Sequence, residues 1–160
     1  MNITEKIQPI RLLSGSHKDT GSTGQGCFMN VVAYLNGEAQ ITDQSECVCY
    51  VIRPLAIWFN DWLEDEERHG LIPFIERALG SRTDDKAEIT RRLKLVGAFA
   101  ELQRDLAAKS AALSAAEYAK YRSITKAEML KLLDEALPKA QEAEPIIYQR
   151  AAKLIELSAN

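Results

Sequence analysis

Apolar residues recur three or four positions apart along most of this chain, the spacing that places side chains on one face of an α-helix. The strongest pattern lies between Glu46 and Leu63 and predicts a helix with a buried face. Proline is tolerated in the first turn of a helix, so Pro54 predicts that this helix begins after Cys49. We also expect its aromatic residues to be largely buried. These are Trp58, Phe59 and Trp62.

Weaker patterns with the same spacing predict helices on both sides of that segment. They cover residues 27–35, 64–79, 83–113 and 145–157. The second of these should break at Gly70 and Pro73, because glycine and proline both weaken a helix interior. Ser114-x-x-Glu117 and Thr125-x-x-Glu128 both match the capping box, a motif that satisfies free backbone N–H groups at a helix start. We therefore expect two separate helices to begin at these motifs.

The predicted fold class is all-α, a compact multi-helix bundle, since no segment shows a convincing alternation of apolar and polar residues. Residues 1–13 form a short N-terminal arm that could be a helix, a strand or an extended segment. Ser14–Gly26 is a Gly-rich loop without the spacing of a phosphate-binding or dinucleotide-binding motif, and no cofactor is indicated. This loop is either a flexible surface segment or a place where an anion meets a helix start.

The chain changes in composition near Gly80. Both Trp, all three Cys and both His precede it, whereas Ala, Leu, Glu and Lys dominate afterwards. No Pro-, Gly- or Ser-rich linker separates the two parts. We therefore expect a single domain of residues 1–160, with a cysteine-containing helical core in residues 1–80 and a helical region in residues 81–160 packed on it.

The charge balance shapes the expected partners. Lys and Arg number 20 and Asp and Glu 23, which gives a net charge of −3 and a pI near 5.5. Nucleic-acid binding is therefore not expected, and the Arg91, Arg92 and Lys94 cluster should serve ion pairs or partner contacts. No segment approaches the roughly 20 apolar residues of a membrane span. Three cysteines, an odd number, favour a reducing cytoplasm over a disulfide framework.

The cysteines are the main chemical candidates. Cys27, Cys47 and Cys49 could bind zinc or iron, with His17 or Asp43 as the fourth ligand. Residues two apart on a helix point in nearly opposite directions, so such a site requires Cys47 and Cys49 to lie outside the helix. The alternative is that all three are small buried core residues. Packing alone predicts that the three cysteines lie close together, beneath Asp43 and the loop that carries His17.

Residues Gly26 to Gly80 resemble an uncharacterised bacterial and phage family with a G-x-C-x-M-[EN] … D-x-x-x-C-x-C … N-D pattern. Asn30 stands where that family usually has glutamate, and Gln44-Ser45 replaces its typical His-Pro. The resemblance implies no established activity. The positions that carry it are Gly26, Cys27, Met29, Ala33, Tyr34, Gly37, Glu38, Asp43, Cys47, Cys49, Asn60 and Asp61.

A shorter similarity concerns Cys27-Phe28-Met29-Asn30, which is similar to the cysteine box of ubiquitin-specific proteases. It would imply a thiolate nucleophile at a helix start, activated by a nearby histidine. The histidines of this chain are His17, in the loop, and His69, expected on a helix turn. No catalytic residue is assigned on this basis.

The sequence favours a small non-enzymatic interaction or accessory protein, a host-modulating factor of a phage or mobile element. A protein partner is expected, and apolar stripes left unpacked would favour a homodimer. The stripes in question are Met129–Leu137 and Ile147–Ile155. The alternative function is a metal-binding protein or small enzyme centred on Cys27, Cys47 and Cys49.

Overall fold

The computed structural model describes residues 2–140 and 143–159, and these residues confirm the all-α fold class. Within those ranges there is no β-strand, and an isolated parallel bridge joins Leu12 to Gly26. None of the helices there is long and apolar enough to span a membrane. In chain order the helices are α1 (Ile3–Ile7), α2 (Thr20–Thr23), α3 (Phe28–Asn36), α4 (Arg53–Trp62), α5 (Asp65–Arg68), a 3₁₀ turn (His69–Leu71), α6 (Ile72–Ala78), α7 (Lys86–Ala112), α8 (Ala115–Ala136) and α9 (Pro145–Ser158).

The chain divides into two compact units. The first combines the residues up to Arg82 with those from Leu137 onward, and the second is Thr83–Ala136. Helix α9 thus belongs with the N-terminal half, where it packs against α1, α2 and α3. The units do not follow the predicted boundary at Gly80, and the single-domain organisation stays a prediction.

Helix α4 begins one residue before Pro54, so the proline lies in its first turn. Arg53 is its first residue and Pro54 its second, which confirms that Cys47 and Cys49 precede the helix. Phe59 is fully buried, and Trp58 and Trp62 are partly exposed, so the aromatic face is largely but not completely buried. The indole rings stack with centroids 4.9 Å apart. They lie on the flank of the helix, while Phe59 lies at the centre of its buried face.

The N-terminal arm is a helix held by a buried carboxylate. Ile3 and Ile7 on α1 are fully buried, and α1 packs against α6 and α9. Glu76 on α6 accepts a hydrogen bond of 2.9 Å from the Thr4 hydroxyl and longer ones from the first backbone N–H groups of α1. A carboxylate at a helix N-terminus complements the helix dipole, so this contact fixes the arm on the core.

The second unit is a helical hairpin of α7 and α8. The Asp85 side chain caps α7. At the predicted start of α8, the Glu117 carboxylate accepts hydrogen bonds from the Ser114 N–H and hydroxyl, so the Glu117 half of the capping box is present. The second predicted capping box was wrong, because Thr125 is buried in the interior of a continuous α8. No Gly or Pro interrupts residues 115–136, so nothing stops the helix there. Leu106, Met129 and Leu133 are among the buried side chains of the hairpin.

Candidate functional site

The start of α3 is built around Cys27 and Asn30. Cys27 is buried just before the helix and accepts a hydrogen bond at its sulfur from the Asn30 backbone N–H. Asn30 is fully buried, and its Oδ1 accepts from the Cys27 N–H at 3.3 Å. The two residues therefore cap the helix reciprocally, with a thiol and an amide in place of the usual hydroxyl and carboxylate.

The Asn60-Asp61 pair of α4 joins this helix start to the Gly-rich loop. Asn60 is buried, and its Oδ1 accepts from the Phe28 N–H at 3.0 Å. Its Nδ2 donates to the Leu13 carbonyl at 2.8 Å. Asp61 Oδ1 accepts from the Gly15 N–H at 2.8 Å. These two adjacent side chains therefore bind backbone groups of the N-terminal arm, the Gly-rich loop and α3. Their structural hydrogen bonds are sufficient to explain why the sequence pattern contains Asn60-Asp61.

The Gly-rich loop lies over the same region, as packing predicts. The His17 N–H donates to Asn30 Oδ1 at 2.6 Å, and α2 interrupts the loop with Thr20 fully buried. A Cβ at Gly26 would lie 2.3 Å from the Thr20 hydroxyl oxygen, so only glycine fits there. The loop is therefore packed against the core around Thr20 and Gly26, and the surface-loop interpretation covers only part of it.

A cavity of about 30 Å³ adjoins Cys27, with Asp43, Ile57, Asn60 and Asp61 among its walls. This is the space of one water molecule. The pKa of the Cys27 thiol is raised to about 11, mainly by burial and to a smaller extent by the negative charges of Asp61 and Asp43. Hydrogen bonds from the Asn30 and Met29 backbone oppose that shift. The thiol is therefore protonated near neutral pH and is a poor nucleophile.

Neither histidine supports the protease-like chemistry. The His17 ring is 2.8 Å from the Ser14 carbonyl oxygen, and the His69 ring is 2.9 Å from Gln8 Oε1. A general base must lie within hydrogen-bond reach of the thiol that it activates. The segment Cys27-Phe28-Met29-Asn30, which is similar to a cysteine box, thus has the geometry of a helix cap and not that of a cysteine–histidine pair.

The five predicted metal ligands are spread over several environments. Cys27 and Asp43 meet at the small cavity, whereas Cys47 Sγ is 3.2 Å from Ser45 Oγ. Cys49 is buried, and its N–H donates to Ser81 Oγ at 3.1 Å. The His17 ring faces the Ser14 carbonyl. Across residues 2–140 and 143–159, no group of three or more His, Cys, Asp or Glu side chains could hold a metal ion. Zinc or iron binding stays a prediction.

Two buried arginine side chains, Arg68 and Arg92, bind groups of the protein itself. Arg68 is buried and donates to the carbonyls of Asn60 at 2.6 Å and Leu63 at 2.7 Å. Arg92 is also buried and forms an ion pair of 2.7 Å with Glu88. These contacts agree with the expectation of internal ion pairs, because a guanidinium enclosed by its own partners is not offered to a phosphate.

A second candidate site lies on the hairpin, in a groove of about 630 Å³ between α7 and α8. We call it the hairpin groove and define it by eight residues. Its floor contains Ala98, Leu102 and Leu132, and its rim carries Glu101, Asp105, Glu128, Lys131 and Glu135. All five rim residues are exposed. The floor and rim together make an amphipathic surface that a third helix could cover.

The groove is acidic although the hairpin is not. Four carboxylates face one ammonium at the rim, whereas Thr83–Ala136 as a whole has ten Lys and Arg against nine Asp and Glu. Lys131 is 4.0 Å from Glu135, and Asp105 accepts a hydrogen bond from the Tyr121 hydroxyl, which raises the pKa of that tyrosine. Glu101 and Glu128 extend from opposite helices into solvent. The negative charge is therefore concentrated beside the apolar floor.

No protein-family model, curated protein or solved structure matches this chain. The resemblance of residues 26–80 to the bacterial and phage family accordingly stays a prediction.

Sequence reasoning missed the hairpin groove. The signal is a repeated spacing: the four groove residues of α7 and the four of α8 both follow i, i+3, i+4, i+7. This spacing marks one helix face, but here the face mixes charged and apolar residues. Each helix alone resembles a solvated surface. The groove becomes visible only when the two faces are placed side by side.

Proposed function

We propose that this protein is a non-enzymatic interaction protein that binds a helical segment of another protein in the hairpin groove. The observation that carries the proposal is the groove itself, with an apolar floor between two antiparallel helices and charged side chains on both walls. Binding of an amphipathic helix in such a groove is a common mode of peptide recognition. Two long helices that lie side by side supply the rigid walls that this mode needs.

The chemistry around Cys27 gives less support to an enzymatic function. Its thiol is protonated at neutral pH, and the nearest polar side chains are committed to backbone groups. An activated nucleophile needs a lowered pKa or an adjacent base. The Oδ1 atoms of Asn30 and Asn60 bind backbone N–H groups at the start of α3, whereas Asn30 Nδ2 is buried without a hydrogen-bond partner among the described residues.

We infer that the partner is a different protein and not a second copy of this chain. The homodimer expectation relied on apolar stripes in α8 and α9. Large side chains of these stripes, Met129, Leu133, Leu137 and Leu154 among them, are buried within one chain, whereas Leu132 lies in the groove floor. Buried side chains contribute nothing to an interface between copies. The cytoplasmic setting rests on the odd number of cysteines, and the role as a host-modulating factor of a phage or mobile element rests on the sequence resemblance.

Site-specific photo-crosslinking in cells of the native host tests this proposal. A photo-reactive residue replaces Ala98 in the groove or Leu93, which is 51% exposed on the same helix and does not line the groove. We expect a discrete crosslinked product from position 98 alone. Adding Leu102→Ser and Leu132→Ser should abolish that product. Equal products from both positions, or a product unaffected by the two serines, would contradict the proposal.

A further inference from the structure

We propose that the occupant of the hairpin groove is an amphipathic helix whose apolar stripe is flanked by lysine or arginine. This inference rests on the proposed function of the same groove and adds the chemical class of its partner. Carboxylates stand on both walls, Glu101 and Asp105 on α7 and Glu128 and Glu135 on α8.

The spacing of these carboxylates suits a helical ligand. Glu101 and Asp105 are four residues apart, which is about 6 Å along a helix axis. Glu128 and Glu135 are seven residues apart, or about 10.5 Å. Basic side chains at i and i+4 along one edge of a ligand helix, and at i and i+7 along the other, repeat at the same distances. A ligand helix that follows the groove can therefore meet both rows.

The apolar floor fixes which face of the ligand turns inward. Leu102 and Leu132 are partly exposed, and Ala98 is exposed, so the floor is open to a partner. Leucines at i, i+3, i+4 and i+7 of a ligand would cover this floor and leave its flanking residues at the rim. An acidic helix could cover the same floor, but its flanking carboxylates would face Glu101 and Glu128. Like charges across an interface oppose binding, so the groove selects by charge.

The decisive experiment uses the full chain and three synthetic helical peptides in fluorescence anisotropy titrations. One peptide has a leucine stripe with flanking lysines, the second replaces each lysine by glutamate, and the third scrambles the basic sequence. We expect the basic peptide to bind at least about 10-fold more tightly than either of the others, which is about 1.4 kcal/mol. Higher salt should weaken that binding, since exposed charge pairs are screened.

A charge reversal identifies the responsible residues. Glu101→Lys with Glu128→Lys should invert the preference, so that the acidic peptide binds better. The matched control, Glu66→Lys with Asp84→Lys, makes the same change in net charge at exposed positions outside the groove and should leave the preference unchanged. Circular dichroism of each variant verifies that the helices are intact.

Each remaining outcome separates the two proposals. If the basic and acidic peptides bind equally and Leu102→Ser with Leu132→Ser abolishes both, the groove binds helices without charge selection and this inference fails alone. If no peptide binds, or if the serine variant binds as well as the unaltered chain, the proposed function fails with it. Self-association of the protein that the serine variant abolishes would show a second copy as the occupant and overturn this inference.

Discussion

The region around Cys27 and the hairpin groove use polar side chains in opposite ways. In the first, Asn30, Asn60 and Arg68 are buried and bind backbone groups of neighbouring segments. In the second, carboxylates stand in solvent beside a partly uncovered apolar floor. Buried polar groups with internal partners stabilise one fold, whereas exposed groups that converge on apolar surface remain available to a partner. The cysteine region contains the main chemical candidates of the sequence, but the hairpin groove is the better candidate for the functional site.

The largest expected loss of stability comes from replacing Asn60, whose side chain binds two backbone groups. Asn60→Ala leaves the Phe28 N–H and the Leu13 carbonyl without their present partners. Each unsatisfied buried group costs about 1–3 kcal/mol, so we expect the free energy of unfolding to fall by about 3–4 kcal/mol. Urea denaturation measures it. Asn36→Ala, at an exposed asparagine that bonds Glu38, is the control and should cost less than about 1 kcal/mol. Equal losses in both variants would contradict a special role for Asn60.

Two glycines in the two units should respond to alanine with opposite signs. Gly24 ends α2 with φ +72, and a Cβ there would lie 2.3 Å from the Ser158 nitrogen of α9. Gly24→Ala should therefore destabilise by about 2 kcal/mol or more. Gly97 lies inside α7 with nothing within 4 Å of an added Cβ. Gly97→Ala should stabilise by about 0.5–1 kcal/mol, because alanine favours a helix. Thermal unfolding compares the two, and a stabilising Gly24→Ala would show that the loop does not need its close approach to α9.

The hairpin should lose stability in acid through Glu88. Hydrogen bonds from Arg91 and then Arg92 lower the pKa of Glu88 from 4.5 to about 2. Since the folded pKa is depressed, this contribution is fully present above about pH 4.5 and is lost as the pH falls towards 2. After allowance for solvent screening, we expect it to amount to about 1–2 kcal/mol. Glu88→Gln should flatten the pH dependence of urea unfolding within that window. An unchanged slope between pH 4.5 and 2 would mean that the ion pairs persist in the unfolded chain or never form.

Local sequence signals predicted much of the fold. The proline at the second position of α4, Gly70 between α5 and α6, and the Ser114-x-x-Glu117 motif act within a few residues, so they can be recognised without the rest of the molecule. Thr125 shows the limit of such signals. Thr125 and Glu128 have the spacing of a capping box, but no helix begins there. The surrounding residues continue one helix, and the Thr125 side chain is buried.

Features that depend on distant segments were not predictable in the same way. The partial exposure of Trp58 and Trp62, and the burial of Arg92, depend on which side of each helix is covered. The periodicity of apolar residues predicts which face of a helix is buried, but it does not predict which element covers that face. The loop was expected near Cys27 because it leads directly into that residue, and Asp43 was expected there from the packing of the two helices; the small cavity is lined by both Cys27 and Asp43. The hairpin groove depends on the register of α7 against α8, which no single segment specifies.

The smallest expected effect on stability comes from replacing the groove carboxylates. Glu101 and Glu128 are exposed, and each is one of four carboxylates at the same rim. Glu101→Gln with Glu128→Gln removes like charges from one surface and no buried contact, so we expect the free energy of unfolding to change by less than about 0.5 kcal/mol, in either direction. Asp105 is unsuitable for this test, because it accepts a hydrogen bond from Tyr121. Urea midpoints at low and high salt measure the change. If the double variant lost more than about 1 kcal/mol, these carboxylates would be stabilising the hairpin, and their concentration beside an apolar floor would have a structural explanation in place of a partner.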